Sequence, residues 1–160
     1  MSTRIGTGFD VHPLVEGRPC ILGGIEIDHP TGPVGHSDGD AVLHAVIDAI
    51  LGAAGMNDIG AMFPSDDDRW KGAESSTLLQ HALEPVLQAG WRILNVDVTV
   101  ITEGPRIAPY RQAMRESIAR LLHVDVPRVN VKATTVDGLG ALAGGAGVAV
   151  QAVCLLEGED

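Results

Sequence analysis

The sequence is poor in aromatic residues and in positive charge; the first shortage limits how the core can be built, and the second argues against two classes of protein. Phe, Trp and Tyr make up only 3% of the 160 residues, so the core has to be built from Ala, Val, Leu and Ile. The net charge of −10 argues against a nucleic-acid-binding protein and against attachment to anionic lipid. No apolar run approaches the ~20 residues of a membrane span, and the first residues lack the pattern of a secretory signal.

Cysteine is also scarce. Cys20 and Cys154 lie in apolar, strand-like segments and form no C-x-x-C pair. We therefore expect two buried free thiols rather than a thiolate zinc site, and a cytoplasmic protein in a reducing environment. With 45% apolar and 20% charged residues, the composition is that of a folded globular protein, and the length fits one domain over residues 1–160.

The spacing of apolar residues predicts both strands and helices. Strands are predicted over residues 3–11, 19–27, 93–101, 129–136 and 148–156, and helices over residues 41–54, 74–88 and 108–122. Asp38 and Asp40 suit the start of the first helix and Gly55 its end, while Pro85 predicts a kink or an irregularity in the second. This order predicts a two-layer α/β sandwich, a mixed sheet covered by helices on one face. The uncovered face would need another subunit, so we expect an oligomer.

The segment GFDVH raises the first functional hypothesis. Asp10 and His12 are two residues apart in a predicted strand and so project from the same face, either as half of a metal site or as polar residues at a solvated strand end. His44, in the helical segment AVLHAVIDAI, would complete a set of three ligands and leave a fourth position of a tetrahedral zinc ion open. The alternative is a helix-surface histidine between Asp40 and Asp48. In the metal hypothesis, Asp48 orients the His44 ring.

Four motifs together resemble those of the 2-C-methyl-D-erythritol 2,4-cyclodiphosphate synthase family. They are GFDVH, GHSDGDAVLHAVIDAILGAAG, DIGAMFP and NVKATT, and they follow the family's order over almost the whole chain. The resemblance implies a phosphorus–oxygen lyase of the methylerythritol phosphate route to isoprenoids. Such an enzyme converts 4-diphosphocytidyl-2-C-methyl-D-erythritol 2-phosphate to the cyclic diphosphate and releases CMP. It also implies a homotrimer with active sites between subunits, and the use of zinc together with magnesium or manganese.

The resemblance assigns roles to individual positions. Asp10, His12 and His44 match the zinc ligands, and His36 and Thr135 match groups that stabilise the transition state. The matched substrate-binding positions are Asp10, Val11, His12, His36, Ser37, Asp58, Ile59, Gly60, Phe63, Pro64, Ser65, Asp66, Asp67, Thr102, Glu103, Gly104, Pro105, Arg106, Ile107, Ala108, Thr134, Thr135, Val136 and Asp137. Those between residues 58 and 67 match segments that bind the erythritol diphosphate part. Residues 102–108 and 134–137 match segments that hold the cytidine diphosphate part from the neighbouring subunit.

Some of these residues also have ordinary explanations. Taken alone, His36 fits a loop turn, the acidic run at 66–68 fits a solvated turn, and Thr134 and Thr135 fit any strand. Two other functions compete with the cyclase. One is a zinc-dependent phosphodiester or pyrophosphate hydrolase on the same scaffold, and the other is a non-catalytic trimeric module that binds a metal or a nucleotide.

The sequence departs from the family pattern at several positions. Arg106 stands where a lysine is frequent, and Asp137 where a glutamate often contacts the nucleotide. The segment GALAGGAG replaces a pattern like GFTGRGEG, so Gly144 and Ala146 stand where an arginine and a glutamate are usual. In the family that arginine lies near a central cavity that can hold an isoprenyl diphosphate. We therefore expect such ligands to bind poorly here.

Overall fold

The computed structural model describes residues 1–158 and has a mixed sheet at its centre. The strands are β1 (Ser2–Glu16), β2 (Cys20–Leu22), β3 (Ile25–Ile27), β4 (Thr31–Pro33), β5 (Arg92–Thr102), β6 (Val129–Thr134) and β7 (Gly147–Gly158). Five of them form one sheet in the order β4-β1-β7-β5-β6, in which β5 and β6 are parallel and the other neighbours antiparallel. β2 and β3 pair in a separate hairpin. The predicted mixed α/β fold is confirmed.

Four α-helices accompany the sheet in the described part of the chain. They are α1 (Ala41–Ala54), α2 (Ile59–Met62), α3 (Ser75–Gln88) and α4 (Arg111–Leu122). α1 packs on β1 and β7, α3 packs on α1, and α4 packs on β6. Among residues 1–158, the helices lack the length and apolar character that would let one of them cross a membrane.

One face of the sheet forms the core and the other is open. Val96, Val98 and Val100, which alternate along β5, are fully buried against the helices, as their spacing predicts. On β1 the apolar side chains of Ile5 and Phe9 point to the opposite face of the sheet, where they remain 69% and 60% exposed. The apolar side of the sheet opposite the helices is therefore uncovered in the single chain.

Two glycines of β1 allow α1 to lie directly on the sheet. A Cβ atom at Gly8 would stand 1.9 Å from the carbonyl oxygen of Ala45, and one at Gly6 would stand 2.1 Å from that of Ala49. No side chain fits in such a gap, because carbon and oxygen atoms in contact lie well over 3 Å apart. This close approach sets the distance between β1 and α1, the two elements that carry the candidate metal ligands.

The ends of α1 follow the predicted signals. Asp40 is completely buried, and its carboxylate accepts the N–H groups of Val42 and Leu43 at 3.1 and 3.0 Å. The same carboxylate accepts the N–H groups of Gly23 and Gly24 at 2.8 and 2.7 Å, so it also anchors the β2–β3 turn. Burial raises the pKa of Asp40 to about 6, although these N–H donors oppose the shift. Gly55 ends α1 in a left-handed conformation with φ of 72°.

Several boundaries differ from the prediction. The predicted strand 19–27 is two strands, because Gly23 and Gly24 have φ of 67° and 75° and turn the chain back on itself. The short strand β4 and the one-turn helix α2 lie outside the predicted strands and helices. Both are too short for periodicity to reveal them. β1 is longer than predicted and continues to Glu16, while α4 begins at Arg111 after a 3₁₀ turn at Ala108–Tyr110. α3 continues through Pro85 to Gln88.

Candidate metal and substrate site

The three predicted metal ligands converge. Asp10 Oδ2 lies 2.7 Å from His12 Nε2 and 2.9 Å from His44 Nδ1, and the two ring nitrogens are 3.3 Å apart. One ligand atom from each residue falls within 4.8 Å of the others, a spacing that can hold a metal ion. The strand alternation aims Asp10 and His12 at α1, and the glycine contact described above brings His44 within reach. The prediction of a three-residue cluster is confirmed as geometry.

The ionised carboxylate of Asp10 suits a cation, which would have to displace the proton that His12 shares with it. Burial raises the pKa of Asp10, but hydrogen bonds from His12 and His44 outweigh it and hold this pKa well below its usual range. The hydrogen bond to Asp10 raises the pKa of His12 in turn, with burial opposing it. The ring of His12 is held from behind, because its Nδ1 donates to the carbonyl oxygen of Val34 at 2.6 Å. Its Nε2 therefore faces Asp10, and an ionised carboxylate with two imidazole nitrogens is a donor set that divalent metals use.

The predicted role of Asp48 is wrong. Its carboxylate accepts the Ile59 N–H at 2.8 Å and thereby holds the start of α2. The ring of His44 is contacted instead by Ser37 and Ser75, whose Oγ atoms lie 3.0 and 2.9 Å from His44 Nε2. Ser75 was missed by the sequence analysis because it is 31 residues from His44 and only the packing of α3 on α1 brings it there.

A cavity of about 180 Å³ opens beside the cluster. Its lining is His12, His36, Ser37, His44, Ile59, Gly60, Phe63, Trp70 and Leu78. Five predicted substrate-binding residues, besides His12, thus come together with two of the metal ligands, His12 and His44. Trp70 and Leu78 are additions, and Trp70 packs edge-on to Phe63 with ring centroids 4.9 Å apart. An aromatic residue seven positions after another in a loop carries no periodic signal, so the sequence did not indicate Trp70.

Other predicted residues of this region lie outside the cavity. Asp58 caps α2 by accepting the Ala61 N–H at 2.8 Å. Pro64, Ser65 and Asp66 follow Phe63 away from the cavity lining, and both Ser65 and Asp66 are exposed. Asp67 is paired with the Arg69 guanidinium, which lowers the pKa of its carboxyl. Val11 is 50% exposed on the open face of the sheet, so its side chain points away from Asp10 and His12.

A second cavity, of about 220 Å³, gathers the residues predicted to hold the nucleotide. Its lining is Thr102, Glu103, Pro105, Arg106, Ile107, Ala108, Arg111, Ala133, Thr134 and Thr135. Arg111, at the start of α4, was not predicted and adds a second guanidinium beside Arg106. The linings of the two cavities have different residues. A larger groove of about 350 Å³ beside Arg92, His123 and Arg128 contains none of the predicted site residues.

Several members of the second group are engaged within the chain. Thr102 is 4% exposed and its hydroxyl donates to the carbonyl oxygen of Gly147 at 3.1 Å. Thr135 donates to the Asp137 carboxylate at 2.9 Å. The carboxylate of Glu103 accepts the N–H groups of Gly138 and Gly144, both at 2.5 Å. The remaining predicted positions are Gly104, in the loop after β5, and Val136, in the loop after β6.

Comparison with known proteins gives a consistent result. The profile of the YgbB family matches residues 3–157. The 2-C-methyl-D-erythritol 2,4-cyclodiphosphate synthase of Geobacillus kaustophilus is 53% identical over 154 residues, which are 96% of this chain and 98% of that protein. A solved structure of a synthase of the same name, bound to CDP, superposes with a TM-score of 0.89 at 40% identity and covers 96% of this chain and 100% of that one. The bifunctional IspDF from Campylobacter jejuni superposes with a TM-score of 0.94 at 41% identity over 99% of this chain and 43% of that longer one.

Proposed function

The chain belongs to the YgbB family, and on this premise we propose that it is a 2-C-methyl-D-erythritol 2,4-cyclodiphosphate synthase. It converts 4-diphosphocytidyl-2-C-methyl-D-erythritol 2-phosphate to 2-C-methyl-D-erythritol 2,4-cyclodiphosphate with release of CMP, as a phosphorus–oxygen lyase of isoprenoid biosynthesis. The observation that carries the proposal is the Asp10–His12–His44 cluster at the edge of a cavity lined by His36 and Ser37. We place the enzyme in the cytoplasm.

The reaction joins two parts of one molecule. An oxygen of the 2-phosphate forms a bond to the β-phosphorus, and the bond from that phosphorus to the bridging oxygen breaks, so CMP leaves with the electron pair. Asp10, His12 and His44 would hold zinc, and magnesium or manganese would serve as a second cation. Together the two cations would neutralise the diphosphate and polarise the breaking bond. The protein's own contribution is chiefly orientation of the folded-back substrate, which can remove on the order of 7–11 kcal/mol of barrier.

The cavity residues would support this step as donors. Ser37 Oγ accepts the Gly39 N–H at 3.2 Å, which leaves its hydroxyl proton for a phosphate oxygen. His36 lines the same cavity and would donate to the charge that develops on the reacting phosphate. Thr135 would exchange Asp137 for a phosphate oxygen at the nucleotide end. No group of the chain has to act as a nucleophile.

Phosphorus NMR of the purified protein with substrate and magnesium tests the function. We expect CMP and a cyclic diphosphate in equal amounts. CMP with a linear diphosphate or free phosphate would instead indicate the hydrolase, and binding without turnover would indicate the non-catalytic module.

We further propose that the active form is a homotrimer with each site shared between two subunits. Two features support this assembly. The metal cavity and the nucleotide cavity of one chain have different linings, and the exposed residues Ile5, Phe9 and Val11 form an apolar strip on the open face of the sheet. An interface there would bring the nucleotide cavity of one subunit to the metal cavity of the next.

Mixing two inactive variants tests the shared site. His12→Ala removes a metal ligand and Thr135→Ala removes a donor of the nucleotide cavity, so each variant alone should be inactive. If a site takes its two halves from different subunits, refolding a mixture should restore part of the activity through sites in which both halves are intact. Refolding of each variant with itself is the control. Mixed oligomers, verified by tagging, that remain inactive would show that each site lies within one chain.

A further inference from the structure

Two further side chains, Ser75 and Asp38, hold the ring of His44 through a series of hydrogen bonds that starts at Nε2. His44 Nε2 lies 2.9 Å from Ser75 Oγ, and Ser75 Oγ donates to Asp38 Oδ1. The N–H of Ser75 donates to the other carboxylate oxygen of Asp38 at 3.0 Å. Ser75 is the first residue of α3 and is fully buried. This series of hydrogen bonds therefore joins α1, the start of α3 and the loop before α1 at a point inside the protein.

The Asp38 carboxylate determines which atoms donate and which accept in this series of hydrogen bonds. An ionised carboxylate has no proton to give, so the Ser75 hydroxyl must be the donor to it. Ser75 Oγ can then only accept from His44, which places a proton on Nε2. With Nε2 committed to Ser75, Nδ1 is the nitrogen left to bind a cation, because it faces Asp10 and His12, and its hydrogen bond to Asp10 Oδ2 is the contact that a cation would replace.

Ser37 does not determine this direction. Its Oγ also lies 3.0 Å from His44 Nε2, but its hydroxyl has no carboxylate partner in the described part of the chain and can either donate or accept. A hydroxyl that donated to Nε2 would favour the opposite tautomer, with a proton on Nδ1 pointing at the cation. Ser75 excludes that arrangement because its proton is already committed to Asp38.

We propose that Ser75, held by Asp38, is the positioning residue that fixes the metal-binding tautomer and ring orientation of His44. The inference rests on the metal site of the proposed function and adds the residues that keep that site ready for a cation. Outer partners of metal-bound histidines typically contribute about 10–100-fold to metal affinity.

The test is the zinc affinity of the full chain, measured by competition with a chromophoric chelator. Ser75→Ala should weaken zinc binding by about 10–100-fold. Ser76→Ala is the matched control, because it deletes the same atom from the next residue of α3, whose hydroxyl hydrogen-bonds only to the Glu74 carboxylate among the described residues. Its zinc affinity should equal that of the unmodified chain.

A purely structural role for Ser75 predicts a different result. It would lower the Tm of the zinc-free protein but leave the rise in Tm on adding zinc unchanged, whereas the proposed role reduces that rise. Asp38→Asn serves as the second variant if Ser75→Ala does not fold. An amide has one oxygen where the carboxylate has two, so it cannot accept both the hydroxyl and the N–H of Ser75, and zinc affinity should fall although the side chain keeps its shape.

Zinc affinity of Ser75→Ala within twofold of the unmodified chain would overturn the positioning role and leave the proposed function standing. If Asp38→Asn has to be measured instead, a zinc affinity within twofold of the unmodified chain would likewise overturn the positioning role. An unmodified chain that binds no zinc would overturn both the positioning role and the proposed metal site.

Discussion

Replacing His44 with alanine is expected to remove zinc from the protein and to lower the rate of CMP release by on the order of 10³-fold or more. The substitution takes away one of three ligands and leaves Asp10 and His12 on β1 with no group opposite them on α1. A cation held by two ligands would not be retained through purification. Metal content by elemental analysis and turnover by CMP release measure the two effects.

The fold should survive this change. The ring of His44 is 11% exposed and faces polar groups rather than the core, while the apolar residues of α1 keep the helix on the sheet. His123→Asn is the control for histidine loss, because His123 is exposed at the end of α4 with φ of 56°, a conformation that asparagine tolerates. Full zinc content in His44→Ala would show that the cluster is not the metal site.

The largest effect on stability is expected from Gly8→Ala. The new Cβ would stand 1.9 Å from the Ala45 carbonyl oxygen and 2.8 Å from the Ala49 nitrogen, and both are backbone atoms that cannot rotate away. α1 would have to move off β1, at a cost of about 3 kcal/mol or more in the free energy of unfolding. Because His44 precedes Ala45, the same movement would separate the metal ligands. Urea unfolding of the metal-free protein measures the loss.

Gly52→Ala is the matched control, since it also replaces glycine by alanine, but at a position of α1 where the added Cβ has room beside β1. Its Cβ would have its nearest neighbours at 3.8 and 4.0 Å, which is ordinary contact. Alanine is favoured over glycine inside a helix, so this variant should be more stable by about 0.8–1 kcal/mol. If Gly8→Ala unfolds at the same urea concentration as the unmodified chain, the close approach of α1 to β1 is not required.

Local patterns determined much of this protein. A side chain in a strand points to the same face as the side chain two residues on, so GFDVH alone placed Asp10 and His12 together. The apolar periodicity of residues 41–54, with Asp40 before it and Gly55 after it, was enough to predict α1 and its ends. These features depend on contacts between residues within a few positions of each other, and such contacts are visible in a sequence.

Only the tertiary structure decided the partners of those residues. The sequence offered Asp48 as the group behind His44, because one helical turn separates them, yet Asp48 holds α2 and the buried Ser75 takes the place behind the ring. Trp70 became part of the lining of the metal cavity, and Arg111 part of the lining of the nucleotide cavity. Both did so through packing between distant segments, which the periodicity of a sequence does not reveal. The physical reason is that a hydrogen-bond partner is selected by distance in space, and that distance was set here by two glycines of β1 that let α1, and with it α3, settle against the sheet.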